Sequence, residues 1–437
     1  MSEFIPSWRL RQQFADRLSL MYRDEVPAYG ALVDLVDRIN SVGSATETFS
    51  GARLGQERHG AIRLALPEEL SLLRRALGVL GMFPVEYYDL AAAGLPVHST
   101  AFRPIEGDAI ERSPFRLFVS LVRLDQIASP ALQSEVQRLT RERSVMSPVA
   151  LRYIERAEHQ GGLRDAEGEA FLDALTETFR WHGEALSTKR IYDALINEHP
   201  LLADIVCFPN PHINHLTPRV SDIDQAQQKM IELGLPAKAV IEGPPRRNCP
   251  ILLRQTAFRA LEEDVTFRNM DGIDAVGVHT ARFGEIESRG AALTRAGMDV
   301  YNACLASGNF DALPDDWNEL RTRKLAWFRF RPAHGARLPN ALPEGSEALE
   351  DLISSGAIIP EPITYEDFLP VSAAGIFRSN LRSEAKSNTE AKGNPAAFEE
   401  ALGCKVSDAQ ELYERESSAS LQQLFAHDQP RELVIHE

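Results

Sequence analysis

Cysteine is scarce and scattered: Cys207, Cys249, Cys304 and Cys404 stand far apart and form no Cys-x-x-Cys pair. That spacing indicates neither a zinc ribbon nor a disulfide framework and points to a reducing compartment. Positive charge is also short, with 47 Lys and Arg against 63 Asp and Glu and a formal net charge of -16. Nucleic acid and anionic membranes normally require a concentrated basic face, so neither is expected as a partner. No apolar run approaches membrane-spanning length, and Met-Ser-Glu-Phe-Ile-Pro-Ser-Trp does not open a secretory leader. A cytoplasmic location is the expectation. Missing too are Gly-x-Gly-x-x-Gly, a Walker loop, Gly-x-Ser-x-Gly and His-Glu-x-x-His, which removes the commonest nucleotide, serine-hydrolase and zincin signatures.

What is present is a degenerate internal repeat. His59-Gly-Ala-Ile-Arg63 and His215-Leu-Thr-Pro-Arg219 each set a histidine and an arginine four residues apart at the start of an apolar-alternating run. On a strand, both side chains of such a pair face one side. After His59 follow a helical pattern from Pro67 to Leu80, then Leu80-Gly81-Met82-Phe83-Pro84 and the strand-like Val85-Glu86-Tyr87-Tyr88. After His215 follow a helical pattern from Asp222 to Leu233, then Leu233-Gly234-Leu235-Pro236 and Lys238-Ala239-Val240-Ile241. A duplicated strand-helix-strand unit offering one histidine per copy predicts a metal shared between two halves.

The chain's 437 residues, 44% hydrophobic and 25% charged, imply an ordered protein of two or three substructures. Residues 1–124 read as amphipathic helices broken near Pro27 plus a first module with strands at Val85–Leu90, Val97–Arg103 and Phe115–Leu121. Residues 125–204 read as a helical insertion, 205–291 as the second module, and 292–437 as a C-terminal α/β extension closing the site. Residues 378–397, dense in Ser, Asn, Glu, Lys and Gly, read as an irregular excursion.

Two imidazoles and one carboxylate on one face of a metal leave positions open for substrate and oxygen, the arrangement of non-haem iron(II) oxygenases. His59, His215 and a carboxylate near Glu285 offer that set from three strands. Glu285 and Glu287 share a strand face, and a bound cation would compensate them; an exposed edge paired with Arg282 or Arg289 is the other reading. His212 competes with His215, but the arginine four residues on favours His215. Arg63 suits a substrate carboxylate or a structural ion pair. His98 could line the cavity or be a satisfied core histidine, and His279 could end a turn.

Several longer motifs resemble one family. Glu57-Arg58-His59-Gly60-Ala61-Ile62-Arg63, Tyr87-Tyr88-Asp89-Leu90, Pro96-Val97-His98-Ser99-Thr100-Ala101-Phe102-Arg103-Pro104, Asn214-His215-Leu216-Thr217-Pro218-Arg219, Phe283-Gly284-Glu285-Ile286-Glu287-Ser288-Arg289-Gly290 and Phe368-Leu369-Pro370-Val371-Ser372-Ala373-Ala374-Gly375-Ile376-Phe377 resemble the 2-oxoadipate dioxygenase/decarboxylases, or D-2-hydroxyglutarate synthases. The resemblance implies an α+β fold of two vicinal-oxygen-chelate βαβββ modules forming a curved sheet around iron(II). It implies conversion of 2-oxoadipate and O2 to D-2-hydroxyglutarate and CO2 in lysine catabolism. It further implies His59, His215 and one glutamate as ligands, with Arg63 and Val371 contacting substrate. The similar Phe-x-Glu-x-x-x-Arg strand of 4-hydroxyphenylpyruvate dioxygenases selects Glu285 over Glu287. A glyoxalase-type lyase or isomerase using a redox-inert metal is the alternative enzyme. A binding protein with a degenerate site is disfavoured, because all three donors and the arginine remain.

Overall fold

The structure, a computed structural model, describes residues 3–43, 51–235, 237–268, 275–336, 338–339, 346–369 and 393–425. Val371 and the segment around it therefore lie outside the described residues, as does most of 378–397. The chain divides into two compact units, one of residues 1–244, 253–288 and 367–408, the other of 245–252, 289–366 and 409–437.

In the first unit, strands β1 (Arg58–Leu64), β2 (Phe83–Asp89), β3 (Val97–Arg103) and β4 (Phe115–Val122) follow one another with a helix, Pro67–Val79, after β1. They lie in the order β2-β3-β4-β1, with β1 parallel to β4 and the other pairs antiparallel. This is the βαβββ path. Its outer edge continues into a strand from the second copy. β5 is Glu184–Ala185 and β6 is His215–Pro218, and β1 pairs β6 antiparallel.

Strand alternation then sorts the side chains. Ile62, Leu64, Leu117, Val119, Leu121 and Leu216 point into the apolar core, where they meet Phe14, Leu18, Leu32, Leu70, Leu73 and Leu77 from the covering helices. Three of those helices are Ser7–Glu25, Pro27–Gly43 and Pro67–Val79, and Pro27 opens the second of them, as the break in the pattern predicts. His59, Ala61, Arg63, Arg116, Phe118 and Ser120 take the opposite face. That face carries the polar residues.

The second copy repeats the path with an addition. β6 leads into the helix Ile223–Glu232, residues 237–242 reach β7 (Leu253–Ala257) and its flank through isolated bridges at Ala237–Phe258 and Glu242–Gln255, and β7 pairs with β10 (Glu285–Arg289). A parallel bridge between Arg219 and Glu287 sets β10 beside the β6 run, as β4 stands beside β1. Between β7 and β10 the chain inserts an antiparallel hairpin, β8 (Glu262–Phe267) and β9 (Ala275–Thr280), whose β8 also pairs with β5. Both copies end their helix on the same device: Gly81 and Gly234 adopt φ of +66° and +72°, the left-handed turn that glycine enters without steric cost. Between β4 and β6 the chain is chiefly helical, with helices Pro130–Arg141, Pro148–Gln160, Asp165–Thr178, Lys189–Glu198 and Pro200–Val206.

The second unit contains the hairpin of β11 (Phe328–Pro332) and β12 (Ile358–Pro362), with the helix Ala409–Phe425 against it through Ser417 and Ser420. No helix of the described residues is long and apolar enough to cross a membrane.

Candidate metal centre

Antiparallel pairing of β1 with β6 places His59 opposite Thr217 and Ala61 opposite His215, so both histidines rise from one face on adjacent strands. Their rings meet edge to face at 5.4 Å. β10 supplies the third donor, and ligand atoms of His59, His215 and Glu285 all lie within 4.8 Å of one another. All three side chains are buried.

Each donor is held by a named neighbour. Glu285 Oε1 lies 3.2 Å from His59 Nε2, while Glu287 Oε2 lies 2.9 Å from His59 Nδ1. His215 Nδ1 is 3.1 Å from Thr217 Oγ1, which donates to Glu285 Oε1 at 3.2 Å. Gln255 Nε2 donates to the same oxygen at 2.6 Å. Glu285 Oε2 has no hydrogen-bond partner among the described residues although it is fully buried. Tyr22 Oη sits 2.8 Å from the carbonyls of both Asn214 and Phe283, tying the β6 and β10 approaches to the first helix.

The electrostatics ask for a cation. Burial pushes the His215 imidazole down to about 3, so that ring is a neutral lone-pair donor. Burial would lower His59 as well, but the Glu287 and Glu285 carboxylates outweigh it and raise it. Burial would raise Glu285; His215 and His59 hold it low. Two buried carboxylates beside two imidazoles, that of His215 neutral, with one carboxylate oxygen lacking a partner among the described residues, fit a divalent metal with oxygen and nitrogen ligands. The exposed-edge reading of Glu285 and Glu287 fails, because both are fully buried, and Arg282 pairs with Glu25 and Glu263.

Apolar rings close over this face. Phe368 packs on His59 at 5.0 Å and on Phe118 at 5.1 Å, and Phe283 stacks on His215 at 4.8 Å. The Phe368 segment is fixed by a two-point pairing of Arg103 with Asp367 and by its backbone N–H donating to Tyr88 Oη at 3.2 Å.

The two arginines of the repeat each meet a buried carboxylate. Arg63 Nη1 pairs with Asp204, and Arg219 Nη1 donates to Glu57 Oε2 at 2.8 Å. Asp204 is itself the centre of a second donor group with His212 and His279, whose ligand atoms also lie within 4.8 Å of one another. His212 is thus separate from His59 and Glu285. His279 does not end a turn: it lies on β9, with Nε2 3.0 Å from Asp204 Oδ1. His98 sits on the far face of β3, against Tyr87 and Phe398, as a core histidine. Sequence reasoning missed Asp204, although it is the one charged residue in Pro200-Leu-Leu-Ala-Asp-Ile-Val-Cys-Phe208. It also missed Gln255 and Tyr22, which no motif marks.

Residues 14–380 match the 2-oxoadipate dioxygenase/decarboxylase family. The chain belongs to this family. A 2-oxoadipate dioxygenase/decarboxylase of Escherichia coli (strain K12) is 44% identical, the alignment covering 96% of this chain and 98% of the relative. The solved hydroxyglutarate synthase of Pseudomonas putida in complex with 2-oxoadipate superposes with a TM-score of 0.87 at 42% identity, covering 97% of this chain and 99% of that one. A glyoxalase superfamily protein from Ralstonia eutropha JMP134, at TM-score 0.53 and 22% identity over 66% of this chain and 87% of its own, shares the fold. Family membership makes the chain an enzyme of the decarboxylating dioxygenase type, on the paired-module α+β fold that the resemblance implies.

Proposed function

We propose that the protein is an iron(II) dioxygenase that converts 2-oxoadipate and O2 to D-2-hydroxyglutarate and CO2 in the cytoplasm, with His59, His215 and Glu285 as the metal ligands. The observation that carries the reading is the buried His59–His215–Glu285 group with an unpartnered Glu285 oxygen, in a chain whose P. putida relative was solved with 2-oxoadipate. Iron bound there would supply chelation of the 2-oxo acid and activation of oxygen. The reaction balances without a further reductant: one oxygen atom enters the new carboxylate and the other the hydroxyl.

The chain's own residues do the rest. Glu287 keeps the proton of His59 on Nδ1 and Thr217 takes the Nδ1–H of His215, so both Nε2 lone pairs face the metal. Gln255 and Thr217 saturate Glu285 Oε1 and leave Oε2 as the ligand atom. Phe118, Phe283 and Phe368 exclude water from the reacting centre. Arg63, four residues from His59 on the same strand face, would bind the distal carboxylate of the substrate. Val371 is proposed as a further substrate contact through its backbone.

Purified protein loaded with iron(II) should consume O2 with 2-oxoadipate and release equimolar CO2 and D-2-hydroxyglutarate. Turnover of a 2-oxo acid that continues without oxygen would instead favour a glyoxalase-type lyase or isomerase.

A further inference from the structure

Asp204 is a carboxylate buried in an apolar helix, and it gathers four side chains from three other parts of the chain. Its Oδ1 receives His212 Nε2 at 3.1 Å and His279 Nε2 at 3.0 Å; its Oδ2 receives Asn214 Nδ2 at 3.2 Å and the Arg63 guanidinium. Tyr192 Oη, 2.9 Å from His279 Nδ1, fixes that ring, and the Trp181 indole stacks on it at 5.6 Å and 10°. Arg63, Asp204, His212 and His279 are all nearly inaccessible. Although burial alone would raise its pKa, the Arg63 charge and the two imidazoles hold Asp204 well below the usual carboxylate range, so it is ionised.

Two imidazoles and a carboxylate within 4.8 Å of one another also have the composition of a metal site. Here, however, a fixed guanidinium already neutralises the carboxylate. A second cation would sit against Arg63. The cluster is instead a clamp on the arginine.

We infer that Asp204, braced by His212, His279 and Tyr192, is a positioning residue that aims the Arg63 guanidinium and thereby sets the preference for 2-oxo acids carrying a second carboxylate. The inference rests on the reading of Arg63 as the distal-carboxylate contact. The ion pair between Arg63 Nη1 and Asp204 Oδ2 anchors the guanidinium at a carboxylate that is itself held by His212, His279 and Asn214. Arg63 stands on the same face of β1 as His59, four residues further along the strand. Arginine on a strand has many rotamers; the fixed carboxylate selects one before substrate arrives, which removes an ordering cost from binding.

The test is the discrimination ratio, kcat/KM for 2-oxoadipate over kcat/KM for 2-oxohexanoate, which has the same chain length without the distal carboxylate. In the iron-loaded enzyme, Asp204→Asn should lower this ratio about tenfold, mainly through KM for 2-oxoadipate, with metal content per chain unchanged. Tyr192→Phe, which keeps the ring and removes the bond to His279, should lower it about threefold by the same route. An equal loss on both substrates, loss of metal, or an unchanged ratio overturns the inference. If Asp204→Asn fails to fold, Tyr192→Phe alone decides. Arg63→Gln separates the two readings: an unchanged ratio there sinks the Arg63 contact itself. A ratio lowered by Arg63→Gln but by neither Asp204→Asn nor Tyr192→Phe sinks only the role of Asp204.

Discussion

Glu285 and Glu287 are two residues apart on one strand face, both buried, yet they meet opposite edges of the same imidazole. One side chain is aimed at the gap between the histidines, the other behind His59. With the proposed ligand set, removing the first would delete a ligand, whereas removing the second would loosen a ligand's orientation. Glu285→Gln should therefore abolish metal retention, while Glu287→Gln should weaken it about 10- to 100-fold. Metal titration of the apoprotein reads both, and equal losses would mean that the roles are shared. Alternation along a strand could not separate these two residues, because it reports the face and not the distance to a partner. The histidines were legible for a different reason: the repeat marks them twice. Asp204 stayed hidden because its partners arrive from 63, 212, 214 and 279, and no local spacing encodes such a meeting.

Among the elements, the paired strands β1 and β6 were legible from hydrophobic alternation, and the helices after them from their apolar spacing and terminal glycines. The β8–β9 hairpin was not. Its outward positions are Glu262 and Asp264 on one strand but Val276 and Val278 on the other, all exposed, with polar His279 facing inward, so hydrophobic alternation does not mark the hairpin as an insertion within the second module. The second strand of that module is reduced to isolated bridges, which also blurs the repeat. The helix-ending glycines give an element-level comparison. A Cβ at Gly81 would meet Ser7 Oγ at 2.7 Å, whereas one at Gly234 would meet nothing within 4 Å. Gly234→Ala should cost about 1 kcal/mol, the left-handed strain alone, and Gly81→Ala about 2 kcal/mol or more. Urea unfolding of the two variants checks the order.

Across the whole molecule, acid sensitivity should begin with histidine rather than with carboxylates. Burial lowers both His98 and His199 to about 4, and the Leu201 backbone N–H donates to His199 Nδ1, so that ring is needed neutral. In the unfolded chain each titrates near 6.5. The unfolded state therefore binds protons that the folded state refuses, and stability rises with pH across this window. As pH falls from about 6.5 to about 4, the metal-free protein should lose stability by up to about 1.4 kcal/mol per pH unit for each group. Urea midpoints measured at intervals from pH 7 to pH 4.5 test this, and a flat profile down to pH 4.5 would refute it. Replacing His98 and His199 by Gln should flatten the slope.

The joining of β1 to β6 has a consequence for biosynthesis. Donors at 59, 215 and 285 come together only when both copies have docked, so a nascent chain that has not yet emerged past Glu285 has no complete coordination set. An ion held there would act as a late seal on assembly. It would bind the finished fold and not its precursors, so free metal in the cell would shift the balance toward completed molecules by mass action.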